Sequence, residues 1–257
     1  MHPILFEIKD SIGIITLNRP DKLNSFNREM ALLMQDKLDE CRNKEIRCVY
    51  ITGSGKSFCA GQDLAEITAP NGPGFSVVLS EQYNPIVKKI CQLEKPVVAA
   101  VNGVAAGAGA NIALCCDIVI AAQSASFIQA FNKIGLIPDS SGTFFLPRII
   151  GWQKASALMM TGDKVSASEA ERIGMLYKVF PDEIFMHESL KIAKMLAQMP
   201  TRGLAYTKKL LNISIENKLE EQLQQEDIYQ QKAAMTKDCK EGIAAFLEKR
   251  LPSFEGE

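Results

Sequence analysis

From Pro96 to Cys116 the chain carries no charged residue. Such a run is long enough to cross a bilayer, which takes about 20 apolar residues. Its inner pattern points elsewhere. It opens with the β-branched stretch Val97-Val-Ala-Ala-Val101. It then sets Gly103, Gly107 and Gly109 among small residues, with Asn102 and Asn111 alongside. The pattern predicts a buried strand, a tight turn and a buried helix. A membrane span is the lesser alternative, because no loop signal supports it.

Around this segment strands and helices alternate. Phe6 to Leu17 alternates and breaks at Asp10-Ser11, the pattern of a β-hairpin. Met30, Leu33, Met34, Leu38 and Cys41 recur at helical spacing behind Asn27 as a cap. Cys48 to Thr52 and Ile118 to Ala122 read as buried strands. Thr68 to Gly74, with two prolines and two glycines, reads as a mobile loop, and Gln82 to Gln92 as a helix. Ser166-Ala-Ser-Glu169 is a capping box opening a helix that ends near Gly174. Beyond about residue 183 only helices are predicted, over 184–199, 201–215, 219–236 and 240–251. The order implies a layered α/β core, residues 1–195, and a helical C-terminal region, residues 196–257.

A net charge of −1 argues against a nucleic-acid partner, which needs a basic surface. Seven scattered cysteines without a CxxC read as reduced thiols of a cytoplasmic protein, with neither a disulfide frame nor a zinc site. The first ten residues lack a basic region followed by an apolar core, so no signal peptide is expected.

Chemistry is suggested first by Asp139, within Gly135-Leu-Ile-Pro-Asp-Ser-Ser-Gly-Thr143. A lone carboxylate among apolar residues has its pKa raised, and such a group can take and return a proton. An aspartate that merely caps the following helix would look the same. The glycine turn at 107–109 can aim backbone N–H groups at a developing negative charge. Ala60-Gly61 in Ser57-Phe-Cys-Ala-Gly-Gln-Asp-Leu64 offers a second such turn, or an ordinary connection between strand and helix. Other motifs fail. Ile51-Thr-Gly-Ser-Gly-Lys-Ser57 has Tyr50 where a P-loop needs its first glycine, and Ile112 stands where a dinucleotide fingerprint needs its third. A Ser-His-Asp triad is poorly served by His2 and His187.

Several stretches then occur in a telling order: Leu17-Asn-Arg-Pro-Asp-Lys-Leu-Asn-Ser25, Gly55-Lys-Ser-Phe-Cys-Ala-Gly-Gln-Asp-Leu64, Lys95-Pro-Val-Val-Ala-Ala-Val-Asn-Gly103, Gly107-Ala-Gly-Ala-Asn-Ile-Ala-Leu114, Thr161-Gly-Asp163 and the tail from Glu241 to Arg250. Together they resemble the crotonase, or enoyl-CoA hydratase/isomerase, superfamily. The resemblance implies a β-β-α spiral core with a C-terminal helical region that trimerises, as a homotrimer or a dimer of trimers. It implies an acyl-CoA thioester as substrate, no metal and no cofactor beyond the substrate's own coenzyme A.

By motif position, the two N–H donors for the thioester oxygen belong to Gln62 and Ala108. The hydratases of the family place catalytic glutamates where this chain has Asn111 and Phe131. The resemblance therefore implies an isomerase with Asp139 as acid/base, nearest to the isomerases of phenylacetate degradation. The reaction would convert a ring epoxide or shift a 3-enoyl to a 2-enoyl thioester. Ala60, Asp63, Leu64, Asn111 and Phe131 would shape the substrate site. Lys22, with Phe246 and Lys249 from across a subunit boundary, would contact CoA. The alternatives are a hydratase-like or dehalogenase-like member and a non-catalytic acyl-CoA binder. Dehalogenation is disfavoured, because Lys88 and Phe131 stand where those enzymes carry a histidine and a tryptophan.

Overall fold

A computed structural model describes residues 2–70 and 72–257. Strands β1 (Ile4–Lys9) and β2 (Ile12–Leu17) form the predicted hairpin, with Ile4 opposite Leu17. Asp10 and Ser11 both take positive φ, as the twist of a two-residue hairpin turn requires. Helix α1 (Arg28–Glu40) starts where Asn27 accepts from the Met30 N–H at 3.0 Å.

From β3 onward one unit repeats. A buried strand in a first sheet is followed by a sharp turn and a short strand in a second sheet. The pairs are β3 (Cys48–Gly53) with β4 (Ser57–Cys59), β5 (Val97–Val101) with β6 (Val104–Ala106), and β7 (Ile118–Ala122) with β8 (Ser126–Ile128). With β9 (Lys164–Ser166) and β10 (Lys178–Phe180), the sheets run β1-β2-β3-β5-β7-β10 and β4-β6-β8-β9. This is the β-β-α spiral. From β2 across to β10 the first sheet is parallel and covered on both faces, so β5 is buried at every residue. That is why Pro96 to Val101 carries no charge. No helix among the described residues is long and apolar enough to cross a membrane.

Helices complete the coils: α2 (Leu64–Thr68), α3 (Phe75–Val77), α4 (Asn84–Gln92), α5 (Ala108–Leu114), α6 (Gly142–Ile150), α7 (Trp152–Thr161) and α8 (Ala167–Arg172). Four longer ones follow: α9 (Asp182–Ala197), α10 (Thr201–Ser214), α11 (Leu219–Ala234) and α12 (Lys237–Glu248). Lys208 of α10 is buried and donates to the carbonyls of Ile90 and Lys95 and to Asp117 at 2.8 Å, pinning that helix to the core.

Two local expectations need correction. Thr68 ends a helix rather than opening a loop, and Asn71 of the expected loop lies outside the described residues. The helix expected from Gln82 begins at Asn84, behind a π-turn over Val78–Tyr83. Pro85 explains the shift. It has no N–H for the Glu81 carbonyl, and its ring crowds that carbonyl. The Asn84 N–H bonds back to Leu79 instead.

Candidate active site

The first turn of interest leaves β4 at Cys59. Ala60 donates to the Leu23 carbonyl at 2.9 Å, Phe26 to the Gly61 carbonyl at 2.7 Å, and Asp63 to the Phe26 carbonyl at 2.8 Å. Phe26 thus holds Gly61 and Asp63 along one edge of a short extended segment. In extended chain the N–H of the residue between points to the opposite edge. The Gln62 N–H therefore faces away from Phe26, and no acceptor for it exists among the described residues.

On that opposite edge lies the second turn. Gly107, at φ +52, donates to the Ile128 carbonyl and opens α5. Ala108 is the first residue of that helix, so its N–H has no partner within it. The two turns meet backbone to backbone. A Cβ added at Gly61, itself at φ +94, would stand 3.0 Å from the Ala106 carbonyl and 3.5 Å from the Ala108 nitrogen. A Cβ at Gly109 would overlap the Cys59 carbonyl. Glycine at 61 and 109 is what lets α5 close on the end of β4. All seven residues of α5 are buried, so the two N–H groups act in surroundings poor in water.

Asp139 lies in the connection between a 3-10 turn over Ala130–Ile134 and α6. The Asn111 side chain of α5 donates to the Asp139 backbone carbonyl at 2.8 Å, and Gln129 donates to the Asn111 oxygen at 2.8 Å. The carboxylate accepts from the Ser140 hydroxyl at 2.8 Å and has no ion-pair partner among the described residues. Burial pushes its pKa above the ordinary 3.8, against the opposing pull of the Ser140 hydroxyl. The helix-capping explanation does not hold. The N-cap of α6 is Ser141, in the left-handed region, and no side chain caps that helix.

The remaining candidates divide. Phe131 is buried, its ring within 3.7 Å of where a Gly107 Cβ would be. Asp63 caps α2 through the Ala65 N–H and pairs with Arg19 at 2.9 Å, so its side chain is occupied structurally. Leu64 is half exposed beside it, and Ala60 is partly buried. Lys22 is exposed on a 3-10 turn whose Pro20 packs on Gly55. Phe246, 83 % exposed, and Lys249 sit at the end of α12, within an apolar surface and not against the Asp139 connection. A groove of about 550 Å³ runs past Leu114, Ile118, Phe145 and Leu211.

Three neighbours of the site have no sequence signal. Gln129 and Ser140 are ordinary polar residues until the fold sets them against Asn111 and Asp139. Tyr83 comes from the π-turn, and its hydroxyl donates to the Gln62 side-chain oxygen at 2.8 Å. Burial pushes the Tyr83 phenol well above its usual range, and the charges of Cys59, Asp139, Glu66 and Asp63 add to the shift.

A family model described as "Enoyl-CoA hydratase/isomerase" matches residues 7–257. A 1,2-epoxyphenylacetyl-CoA isomerase of Escherichia coli (strain K12) is 45% identical over 260 residues, covering 100% of this chain and 99% of the relative. A protein of Rhodobacter capsulatus named "Probable enoyl-CoA hydratase" is 43% identical over 255 residues, covering 99% and 98%. Among solved structures, an enoyl-CoA hydratase from Bacillus anthracis superposes with a TM-score of 0.93 at 33% identity, covering 99% of this chain and 100% of that one.

Proposed function

This chain belongs to the enoyl-CoA hydratase/isomerase family, and from that premise we propose that it is an acyl-CoA isomerase working through a thioester enolate. The observation that carries the reading is the contrast between two polar residues joined by one hydrogen bond, Asn111 of α5 and Asp139. Asp139 has a carboxylate with a raised pKa and no ion-pair partner among the described residues. Asn111, where a hydratase would carry a glutamate, is committed to the Asp139 carbonyl.

Moving a double bond from C3 to C2 of an acyl chain removes a proton at C2 and returns one at C4. One carboxylate can do both. Between the two transfers the negative charge rests on the thioester oxygen, where the Gln62 and Ala108 N–H groups would hold it. Hydration would instead need groups that activate water, and neither Asn111 nor Phe131 can. The name of the 45% identical relative supports a ring-epoxidised phenylacetyl thioester as substrate; a 3-enoyl thioester suits the same chemistry. No metal or redox group enters, and coenzyme A arrives as part of the substrate. Ala60, Leu64 and Phe131 would border the acyl-CoA. Lys22 would contact CoA, with Phe246 and Lys249 reaching it across a subunit boundary of a trimer or a dimer of trimers.

The test offers 1,2-epoxyphenylacetyl-CoA, a 3-enoyl-CoA and crotonyl-CoA to the purified protein. Turnover of either of the first two, with weak hydration of the third, is the expected result. Crotonyl-CoA hydration near the enzyme median of about 10 per second, without isomerisation, overturns it. Failure to exchange the C2 proton of any acyl-CoA in heavy water marks a binder instead.

A further inference from the structure

The Gln62 side chain is held at both ends of its amide. Its oxygen accepts from the Tyr83 hydroxyl at 2.8 Å, and its nitrogen donates to Glu66 at 3.0 Å. Glu66 in turn accepts from the Arg28 N–H at 2.8 Å, at the start of α1. Tyr83 also grips the same turn from a second side. Its ring meets Phe26 edge to face, with centroids 6.0 Å apart, and Phe26 is the residue whose backbone brackets Gly61 and Asp63. Tyr83 itself is buried, at the end of the π-turn that Pro85 enforces. A π-turn displaces a side chain from where a regular helix would put it, and such turns recur at functional sites.

A backbone N–H is a useful oxyanion donor only if its direction is fixed before charge develops. At residue 62 that direction depends on the torsion angles of Gly61 and Gln62, and glycine is the softest residue in the chain at that point. Phe26 fixes one end of the peptide plane that carries the Gln62 N–H, because the Gly61 carbonyl it bonds lies in that plane. The side-chain ties fix the other end of the plane, at the Gln62 Cα. We propose that Tyr83 is a positioning residue, which sets the aim of the Gln62 N–H by holding the Gln62 side chain. It rests on Gln62 being an oxyanion donor. The contribution of Gln62 is then not confined to its backbone. The side chain serves as the handle by which the π-turn, and α2 with its tie to the start of α1, steady the turn.

The experiment compares Tyr83→Phe, Gln62→Ala and the double variant with the parent protein. Turnover is measured, together with the infrared stretch of bound butyryl-CoA carrying carbon-13 at the thioester carbonyl. Removing a whole oxyanion donor costs about 100- to 1000-fold in kcat, so loosening one is expected to cost about 10- to 100-fold. Tyr83→Phe should lower kcat by that factor, leave butyryl-CoA affinity unchanged and move the carbonyl stretch back toward its value in water. Gln62→Ala should do the same, and adding Tyr83→Phe to it should cost nothing more. An additional full-sized loss in the double variant overturns the proposal, because Tyr83 would then act on its own. So does a parent-like stretch in both single variants. If Tyr83→Phe fails to fold, Gln62→Ala alone decides by its stretch. A parent protein that itself shows no carbonyl shift would defeat the oxyanion reading beneath the proposal, a result distinct from a parent shift that neither variant alters.

Discussion

Asn111 of α5 donates its side-chain amide to the backbone carbonyl of Asp139 at 2.8 Å. The helix that presents the Ala108 N–H therefore also holds the connection that carries the carboxylate. Gln129 orients the amide by donating to its oxygen. Asn111→Ala would leave the buried Gln129 amide without its acceptor, a loss of about 1–3 kcal/mol, and the part-buried Asp139 carbonyl without its donor. Urea denaturation should show a destabilisation of that order, with a fall in turnover as the Asp139 connection loosens. An Asn111→Ala protein with unchanged stability and turnover would show that this tie is idle.

Asp139→Asn keeps the shape of the side chain and removes the proton acceptor. General acid–base catalysis supplies a factor of about 100 to 10,000, so isomerase turnover should drop at least about 100-fold. Acyl-CoA affinity should stay nearly unchanged, because the backbone donors remain. Steady-state kinetics with direct binding of an inert acyl-CoA separates the two quantities, and near-normal turnover ends the acid/base role.

The raised pKa of Asp139 has a stability consequence of definite sign. Its pKa in the folded protein lies above the ordinary 3.8 because burial disfavours the charge. The stability linked to this group is fully present below pH 3.8 and is lost as pH rises through the folded value. Asp139→Asn should thus melt at a higher temperature than the parent at pH 7. The gap should close as the pH is lowered toward and below 3.8. A variant less stable than the parent at pH 7 would contradict it. Over the same interval the parent's kcat/KM should rise with pH, since a proton acceptor must be ionised.

Gly109→Ala would drive a methyl group into the Cys59 carbonyl. The start of α5 must then back away from β4, carrying the Ala108 N–H off its line. Overpacking of this kind costs about 1–3 kcal/mol. The expected signature is a modest loss of stability by thermal melting beside a much larger loss of turnover.

Assembly is testable directly. Ile243, Phe246 and Leu247 of α12 and Leu251 just beyond it are all more than half exposed in the single chain, a larger apolar surface than one soluble helix usually leaves uncovered. Sedimentation should find a trimer or hexamer, and a monomer at micromolar concentration would rule out shared CoA contacts.

Much of the fold is readable along the chain, because its signals are local. The hairpin at Asp10-Ser11, the Asn27 cap and the uncharged strand at Val97 each follow from a few adjacent residues. The short strands of the second sheet are not readable. β4, β6 and β8 have only three residues apiece, too few for any period to show. The π-turn at Val78–Tyr83 is not readable for a different reason. Pro85 marks the neighbourhood of a helix start, but where the displaced carbonyls find partners depends on the packing around them.

The sequence by itself determined the family, the buried strands of the first sheet with the run of C-terminal helices, and the candidate residues Gln62, Ala108 and Asp139, since motifs and hydrophobic periods survive in one dimension. Only the tertiary structure decided how these residues are held. It set Gly61 against Ala108, turned Asn111 from a pocket residue into a clamp on Asp139, and brought Tyr83 to Gln62. Hydrogen bonds and close backbone contacts between distant segments depend on directions of a few tenths of an ångström and a few degrees. No spacing along the chain encodes those directions; they arise when the packed core leaves each of these polar groups few partners within reach.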